Sequence, residues 1–357
     1  VFARIAAIFL CLEAASRAAE EVPPTPVARA QAASATVWMA HDDSAVDRFT
    51  ENPAATRRMV DALVLAATGE SEIGRAWRKL IGPKERVGIK VNAGAGKGFS
   101  TRVGVVRAII DGLEQAGVKP SSVLVWDRES AELKEAGFNR QRLGCQIRGI
   151  DPPKGWDRTA PFVVPSLGRL IWGDALFVEK NRKALGKQTT DSDQLSSNSH
   201  FATIVTKDVT KIINVATLTD DAGCGVGGVF YNLCVKDVDN WRRFVAVEQS
   251  AAESIPELYA SEHLGPKVVL HFLDGLVAQY AGGPEPNPNY AYTHATLYAS
   301  RDPVALDSLA ARKIDEWRKP AKLPSIAGRV EWLRLAEQMG LGESSETRIK
   351  LMPVTPP

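Results

Sequence analysis

The chain predicts an α/β fold, a mostly parallel sheet with flanking helices in Rossmann-like layering, and three observations lead there. Short apolar runs such as VGIKV, VLVWD and KIINVATL recur along it. Each is followed by a polar or Gly-rich loop and then by apolar residues at helical spacing, the rhythm of strand–loop–helix units. The clearest helix start also carries its own punctuation: Asp302 can cap, Pro303 suits the first turn, and Leu306, Leu309, Ala310, Ile314 and Trp317 form a buried face.

In chain order, residues 53–80 read as one helix ahead of the sheet. In RVGIKVN, Val87, Ile89 and Val91 alternate as a strand. Ser100 or Thr101 can then cap a helix running to Gly117, with Val106, Ile109, Ile110 and Leu113 as its stripe. SVLVWD is the next strand, followed by RES and a short helix ending near Gly137. Residues 151–200 break the rhythm: GRLIWGDALFVEK reads as a hairpin with a Gly-Asp turn and KQTTDSDQLSSNS as a polar loop, together an inserted hairpin/loop subdomain. KIINVATL then leads through TDDAGCGVGG to a helical VFYNLCVKDVDNWRRF. KVVLHFLDGL enters a Gly/Pro/Asn loop, and ATLYAS runs into the helix that begins at Pro303. A single α/β domain over residues 36–350 accommodates these units.

The 357 residues are 45% hydrophobic and 24% charged with a formal net charge of +2, enough apolar mass for a full core and no basic patch for nucleic acid. At the N-terminus, Arg4, an apolar run from Ile5 to Leu12 and a small-x-small site at Ser16–Ala18 have the order of a secretory signal over residues 1–18. That run is too short to span a bilayer, so the mature chain is expected to be periplasmic or secreted without an integral membrane span. Residues 19–35 read as a flexible leader. Cysteines 11, 145, 224 and 234 lack the spacing of a zinc or iron–sulfur site, so no iron–sulfur cluster is expected in this chain. Whether Cys224 and Cys234 pair or remain core thiols is left open.

The Gly-rich turn after Val91 fails both nucleotide fingerprints: Val91 stands where a Walker A loop needs glycine, Gly98 follows Lys97, and Gly94, Gly96 and Gly98 come as G-x-G-x-G. Anion contact and a purely structural turn both remain open, with Lys90 and Asn92 better placed for function than Lys97. In open parallel sheets, ligands bind beyond the carboxyl ends of the strands. The residues expected there are Lys90, Asn92, Asp127, Asn232 and Asp274 as ligand-binding groups, with Asp220, Asp221, Asp302 and His294 as metal ligands and Asp307 nearby. Carboxylates with Asn and His suit a divalent metal, and Lys90 suits either neutralising carboxylate charge or holding a substrate anion. No hydrolase elbow, zinc-protease or kinase signature occurs, and nothing in the sequence sets a histidine beside Cys224 to make it a nucleophile.

Taken together, IKVN, TRVGVVRAIIDGLEQAG, VLVWDRES, INVATLTDDAGCGVGGVFYNL, LHFLDGLVAQYAGGP and ASRDPVALDSLAAR resemble the family called domain of unknown function 362, over roughly residues 85–317. The resemblance implies an α/β protein, and a redox association because some members carry ferredoxin-like cysteine clusters, which this chain lacks. The family's Lys-Pro-Asn signature stands here as Lys90-Val91-Asn92, and its later asparagine matches Asn232. Its Lys-Thr-His or Lys-Asp-His segment falls at Thr219-Asp220-Asp221 without the lysine or histidine, which weakens any chemistry needing a base there. Asp274-Gly275 and Arg301-Asp302-Pro303 with Asp307 stand intact. The expectation is a protein that binds a metal ion or a small anionic cofactor or substrate, with redox or group-transfer activity as one reading. A non-catalytic binding protein or an interaction module is the alternative.

Overall fold

The computed structural model describes residues 34–96, 98–151, 155–163, 198–239, 241–244 and 248–356. Strand β1 (Ala35–His41) leads through the tight hairpin of β2 (Val46–Asp47) and β3 (Thr50–Glu51) to helices α1 (Pro53–Thr68) and α2 (Ile73–Leu80). Next come β4 (Val87–Val91), α3 (Val103–Gln115), β5 (Val123–Asp127), α4 (Ser130–Glu135), α5 (Arg140–Leu143) and β6 (Gln146–Gly149). A second hairpin pairs β7 (Trp156–Val163) with β8 (Asn198–Ala202); the long β9 (Lys211–Asp221) follows, with β10 (Gly225–Val226) folded onto its end. The chain then forms α6 (Glu248–Ala260), β11 (Val268–Gln279), β12 (Ala291–Ser300), α7 (Pro303–Arg318), α8 (Trp332–Gln338) and β13 (Ile349–Val354).

Eight strands lie side by side in the order β13-β1-β12-β11-β9-β4-β5-β6, and every neighbour pair is parallel except the two that involve β12. The α/β class and its mostly parallel sheet are therefore as expected. Strand alternation divides the core between two faces. Val87, Ile89, Val91, Val123, Val125, Ile213 and Val215 pack with Met59 and Leu63 of α1, Trp77 of α2 and Ile109 of α3. On the other face Leu124, Trp126, Ile212 and Ala216 pack with Leu258 of α6, Leu306 of α7 and Trp332 of α8. Each fully buried aliphatic side chain contributes about 1.5–3 kcal/mol, so the packed faces fix the period, and with it where the intervening polar side chains fall.

Three expectations need correction. The predicted helix over 53–80 is two helices, because Gly69 caps α1 at φ 72, a left-handed conformation that ends the helix before Ile73. VFYNLCVKDVDNWRRF is not one long helix: a single π turn covers Tyr231–Val235 and a 3₁₀ turn covers Trp241–Phe244. The strand holding ATLYAS, β12, runs antiparallel to β11 and β1, so its carboxyl end lies at the opposite edge of the sheet from those of its neighbours. The predicted hairpin, the predicted polar loop as far as Ser197, residues 1–33 and Lys97 lie outside the described residues, while the last two residues of that loop, Asn198 and Ser199, begin β8.

Candidate ligand-binding site

From β4 the chain steps outward to β5 and β6, then returns as β9 on the other side of β4. This reversal is a topological switch point, where the loops after adjacent strands diverge and leave a crevice. A cavity of about 450 Å³ opens there, lined by Asn92, Gly94, Phe99, Glu132, Thr217, Asp220, Asp221, Tyr231, Lys236, Trp241 and Gln279 among others.

Beneath the cavity lies a buried ion pair. Lys90 alternates with Ile89 and Val91 and so points to the face opposite theirs, where its side chain has no solvent exposure. Its Nζ donates to Asp127 Oδ1 at 2.6 Å, to the Val91 carbonyl at 2.8 Å and to Asn232 Oδ1 at 3.2 Å, which accounts for all three ammonium protons. The other Asp127 oxygen accepts the Ala93 backbone N–H at 2.6 Å and lies 3.4 Å from Lys236 Nζ. Burial alone would raise the Asp127 carboxyl, but Lys236 and Lys90 outweigh it and hold the group well below the usual carboxylate range.

Register extends this polar row into the core: Lys90 pairs across to Asn214 and Asn214 to His271. Asn232 Nδ2 donates to Asn214 Oδ1 at 2.8 Å, and Asn214 Nδ2 donates to the Val229 carbonyl and lies 3.1 Å from His271 Nδ1. His271 Nε2 meets the Tyr259 hydroxyl at 2.9 Å. Burial depresses the His271 pKa to about 3, so the ring is neutral and Nδ1 accepts while Nε2 donates. The donors thus all point one way from Lys90 to Tyr259, an orientation in which successive bonds polarise one another.

The cavity wall is built differently. Lys236 directly follows the π turn that carries Asn232, and its Nζ donates to Asn92 Oδ1 at 2.7 Å. With Asp127 as second partner, one ammonium proton remains for the cavity. Asn92 is held in turn by its Nδ2 bond to Thr217 Oγ1 at 2.7 Å. Glu132 of α4 comes close to Lys236 across Gly94: a Cβ on Gly94 would stand 3.2 Å from Glu132 Oε2 and 3.3 Å from Lys236 Nζ. Burial raises the Glu132 carboxyl and Lys236 opposes that rise. Arg128 stacks between Trp156 and Trp241, with ring centroids at 5.0 and 5.7 Å, and donates to the Val238 carbonyl. Beneath the π turn, Asp307 of α7 accepts the Val229 and Phe230 N–H groups at 2.7 and 3.0 Å, fixing where Tyr231 and Asn232 begin.

Of the predicted residues, Lys90, Asn92, Asp127 and Asn232 come together. Asp274 does not join them: it lies on the opposite face, accepting Arg102 N at 2.8 Å and Leu276 N at 3.1 Å. With Glu51 bound to Gly104 N at 3.0 Å, it fills the N-terminus of α3 with the protein's own carboxylates. The Gly-rich turn is likewise occupied internally: Ala93 N goes to Asp127, and Gly96, Phe99 and Ser100 donate to backbone carbonyls of the turn.

The four predicted metal ligands do not converge. Asp220 accepts Gly283 N at 2.9 Å, and Asp221 Oδ1 accepts Gly223 N and Cys224 N at 2.8 and 2.9 Å. His294 Nε2 lies 2.7 Å from the Tyr298 hydroxyl. Asp302 caps α7 through Ala305 N at 2.8 Å, at the far edge where antiparallel β12 ends. Among the described residues no group of three His, Cys, Asp or Glu side chains could hold a metal ion. Cys224 and Cys234 are separate buried thiols, and burial raises both pKa values well above the usual thiol range, Asp221 adding to it at Cys224.

Sequence reasoning missed Asn214, Tyr231, Lys236 and Glu132. Asn232 and Lys236 stand at helical i,i+4 spacing, which hinted that both belong to one face of the turn.

No helix among the described residues is long and apolar enough to cross a membrane. No curated protein matches the chain. A crystal structure of a Thermotoga maritima protein from the Northeast Structural Genomics Consortium aligns with a TM-score of 0.40 and 10% identity, covering 78% of this chain and 61% of that one. The chain thus spans less than two thirds of that protein's length. A family model, domain of unknown function (DUF362), matches residues 179–312. That interval carries Asn214, Tyr231, Asn232 and Lys236, while Lys90, Asn92 and Asp127 precede it. The family whose model matches residues 179–312 is the one that the sequence motifs resemble.

Proposed function

We propose that the chain binds a small oxyanion, a carboxylate or phosphate compound, in the crevice beyond β4, β5 and β9, with Lys236 as the group that receives its charge. One observation carries this reading: the Lys236 ammonium is held by Asn92 and Asp127 on the wall of a cavity of about 450 Å³ at the switch point, with a proton left to donate. A cation fixed by two acceptors is already oriented, so little side-chain freedom is lost when an anion arrives. Phe99, Tyr231 and Trp241 on the same wall supply apolar surface for the rest of the molecule.

The test is calorimetry and thermal shift with inorganic phosphate and acetate on wild type, Lys236→Gln and Lys236→Arg. A charge-assisted hydrogen bond contributes about 1.5–3 kcal/mol, so Lys236→Gln should weaken binding roughly tenfold or more while Lys236→Arg retains part of it. Equal affinity in wild type and Lys236→Gln would reject the reading. Catalysis of a redox or group-transfer step belongs to the same proposal at a further remove; Glu132 beside Lys236 is the carboxyl it would use as acid or base. Turnover unchanged in Glu132→Gln would remove Glu132 as the acid or base, and a wild type that binds the anion without turning it over would reduce the protein to a binder. Export is proposed from the N-terminal Arg4 and Ile5–Leu12 layout, and fractionation of cells expressing the full-length protein tests it.

A further inference from the structure

We propose that Tyr231 is the second ligand-binding donor of the crevice, its phenol giving a directional hydrogen bond to another oxygen of the anion held by Lys236. The proposal rests on the oxyanion reading above and adds to it that the ligand presents two oxygens, one to an ammonium and one to a phenol.

The argument starts from the side chain itself. Tyr231 is 5% exposed, its ring belongs to the apolar cluster around Phe230 and Leu233, and it lines the cavity. Its hydroxyl has no hydrogen-bond partner among the described residues, and it is not one of the side-chain oxygens sealed away from the surface. Buried tyrosines ordinarily satisfy the hydroxyl, because a phenol withdrawn from water without a partner costs free energy that phenylalanine would not incur. Phenylalanine at 231 would fill the same apolar volume, so the packing supplies no reason for the hydroxyl.

The surroundings determine its role. Burial, with Asp221 adding to it, raises the phenol far above its ordinary range, so at neutral pH it carries its proton and donates. The π turn sends consecutive residues to different tasks: Asn232 goes inward to Lys90 and Asn214, while Tyr231 faces the cavity that Lys236 also lines. Asp307 anchors the start of this turn through Val229 and Phe230 N–H, so the phenol is placed by backbone rather than by a partner of its own. This is how a preorganised donor is built: the scaffold is satisfied and the tip is left open.

Tyr231→Phe removes the hydroxyl alone. In ligand-free buffer its melting temperature should equal or exceed that of wild type. Its affinity for inorganic phosphate, and for acetate if the site takes carboxylates, should fall roughly tenfold or more, the size of one hydrogen bond to a charged group. Whichever of the two probes wild type binds more tightly identifies the anion class. A loss of several degrees in ligand-free buffer, or unchanged affinity for both anions, overturns the assignment. If wild type binds one anion and Lys236→Gln loses it while Tyr231→Phe keeps it, only this inference fails. If wild type binds neither, the oxyanion reading fails and Tyr231 with it.

Discussion

Lys90 and Lys236 approach different oxygens of the same carboxylate, Asp127, at 2.6 and 3.4 Å. The Lys90 side chain is wholly buried and its three protons are taken by Asp127, Val91 and Asn232; Lys236 keeps 16% of its side-chain surface exposed and has one proton in reserve. The first lysine has no capacity left for a ligand and the second has little role in the core. One carboxylate thus joins a structural cation to a binding cation, and substitutions on the two sides should separate stability from affinity.

The largest effect belongs on the buried side. Lys90→Met removes the ammonium and leaves Asp127 Oδ1 and Asn232 Oδ1 facing an apolar chain. Breaking a buried pair by deleting one partner costs about 3–5 kcal/mol, so urea denaturation should show a loss of that order. The double variant Lys90→Met/Asp127→Leu should recover part of it, since replacing both members with apolar groups relieves the unpaired charge. A Lys90→Met protein as stable as wild type would mean that the pair is not structural.

A medium effect depends on pH. Asp237 accepts Trp126 Nε1 at 2.8 Å, its other oxygen has no hydrogen-bond partner among the described residues, and burial pushes its carboxyl from 3.8 up to about 7 against the pull of Lys90. With the folded value raised, the folded state holds the proton more tightly than the unfolded chain. Stability is therefore complete below about pH 4 and declines as pH rises through about 7. Asp237→Asn keeps an oxygen for Trp126 and removes the titration, so its stability should decline less than that of wild type between pH 5 and pH 8, by on the order of 2 kcal/mol. Asp307, also raised to about 7 by burial, leaves a residual slope in the variant. Parallel stability curves for variant and wild type would exclude Asp237 as a titrating group.

The two lysines also mark what the sequence could and could not reveal. Lys90 lies between Ile89 and Val91 in an alternating strand, and a lysine in such a slot has to be paired, so its partners at neighbouring strand ends were predictable as a class. Lys236 follows a segment whose helical period suggested a long helix, and only the break after one π turn brings it to Asn92. The start of that turn is anchored by tertiary hydrogen bonds that Val229 and Phe230 donate to Asp307, which no local pattern encodes. The displacement of Asp302 was not legible: between KVVLHFLDGL and ATLYAS the sequence leaves residues 277–294, room enough for a parallel crossover, and only in the fold do β11 and β12 extend until residues 280–290 close a hairpin.

The smallest expected change in stability comes from Gly94→Ala, which tests the binding side without deleting a charge. The added Cβ meets only the ends of two flexible side chains, Glu132 Oε2 at 3.2 Å and Lys236 Nζ at 3.3 Å, and both can yield by a few tenths of an ångström. Gly94 is not among the glycines at positive φ, so alanine also restricts the unfolded chain without straining the turn. The two contributions oppose one another, and the net should stay within about 0.5 kcal/mol of wild type. Anion affinity should nevertheless fall severalfold, because the displaced groups are the ammonium that receives the ligand and the carboxylate beside it. Lys90→Met and Gly94→Ala therefore have opposite signatures, large stability loss against affinity loss alone. A Gly94→Ala protein that binds phosphate or acetate as tightly as wild type would place the anion away from the Lys236–Glu132 wall.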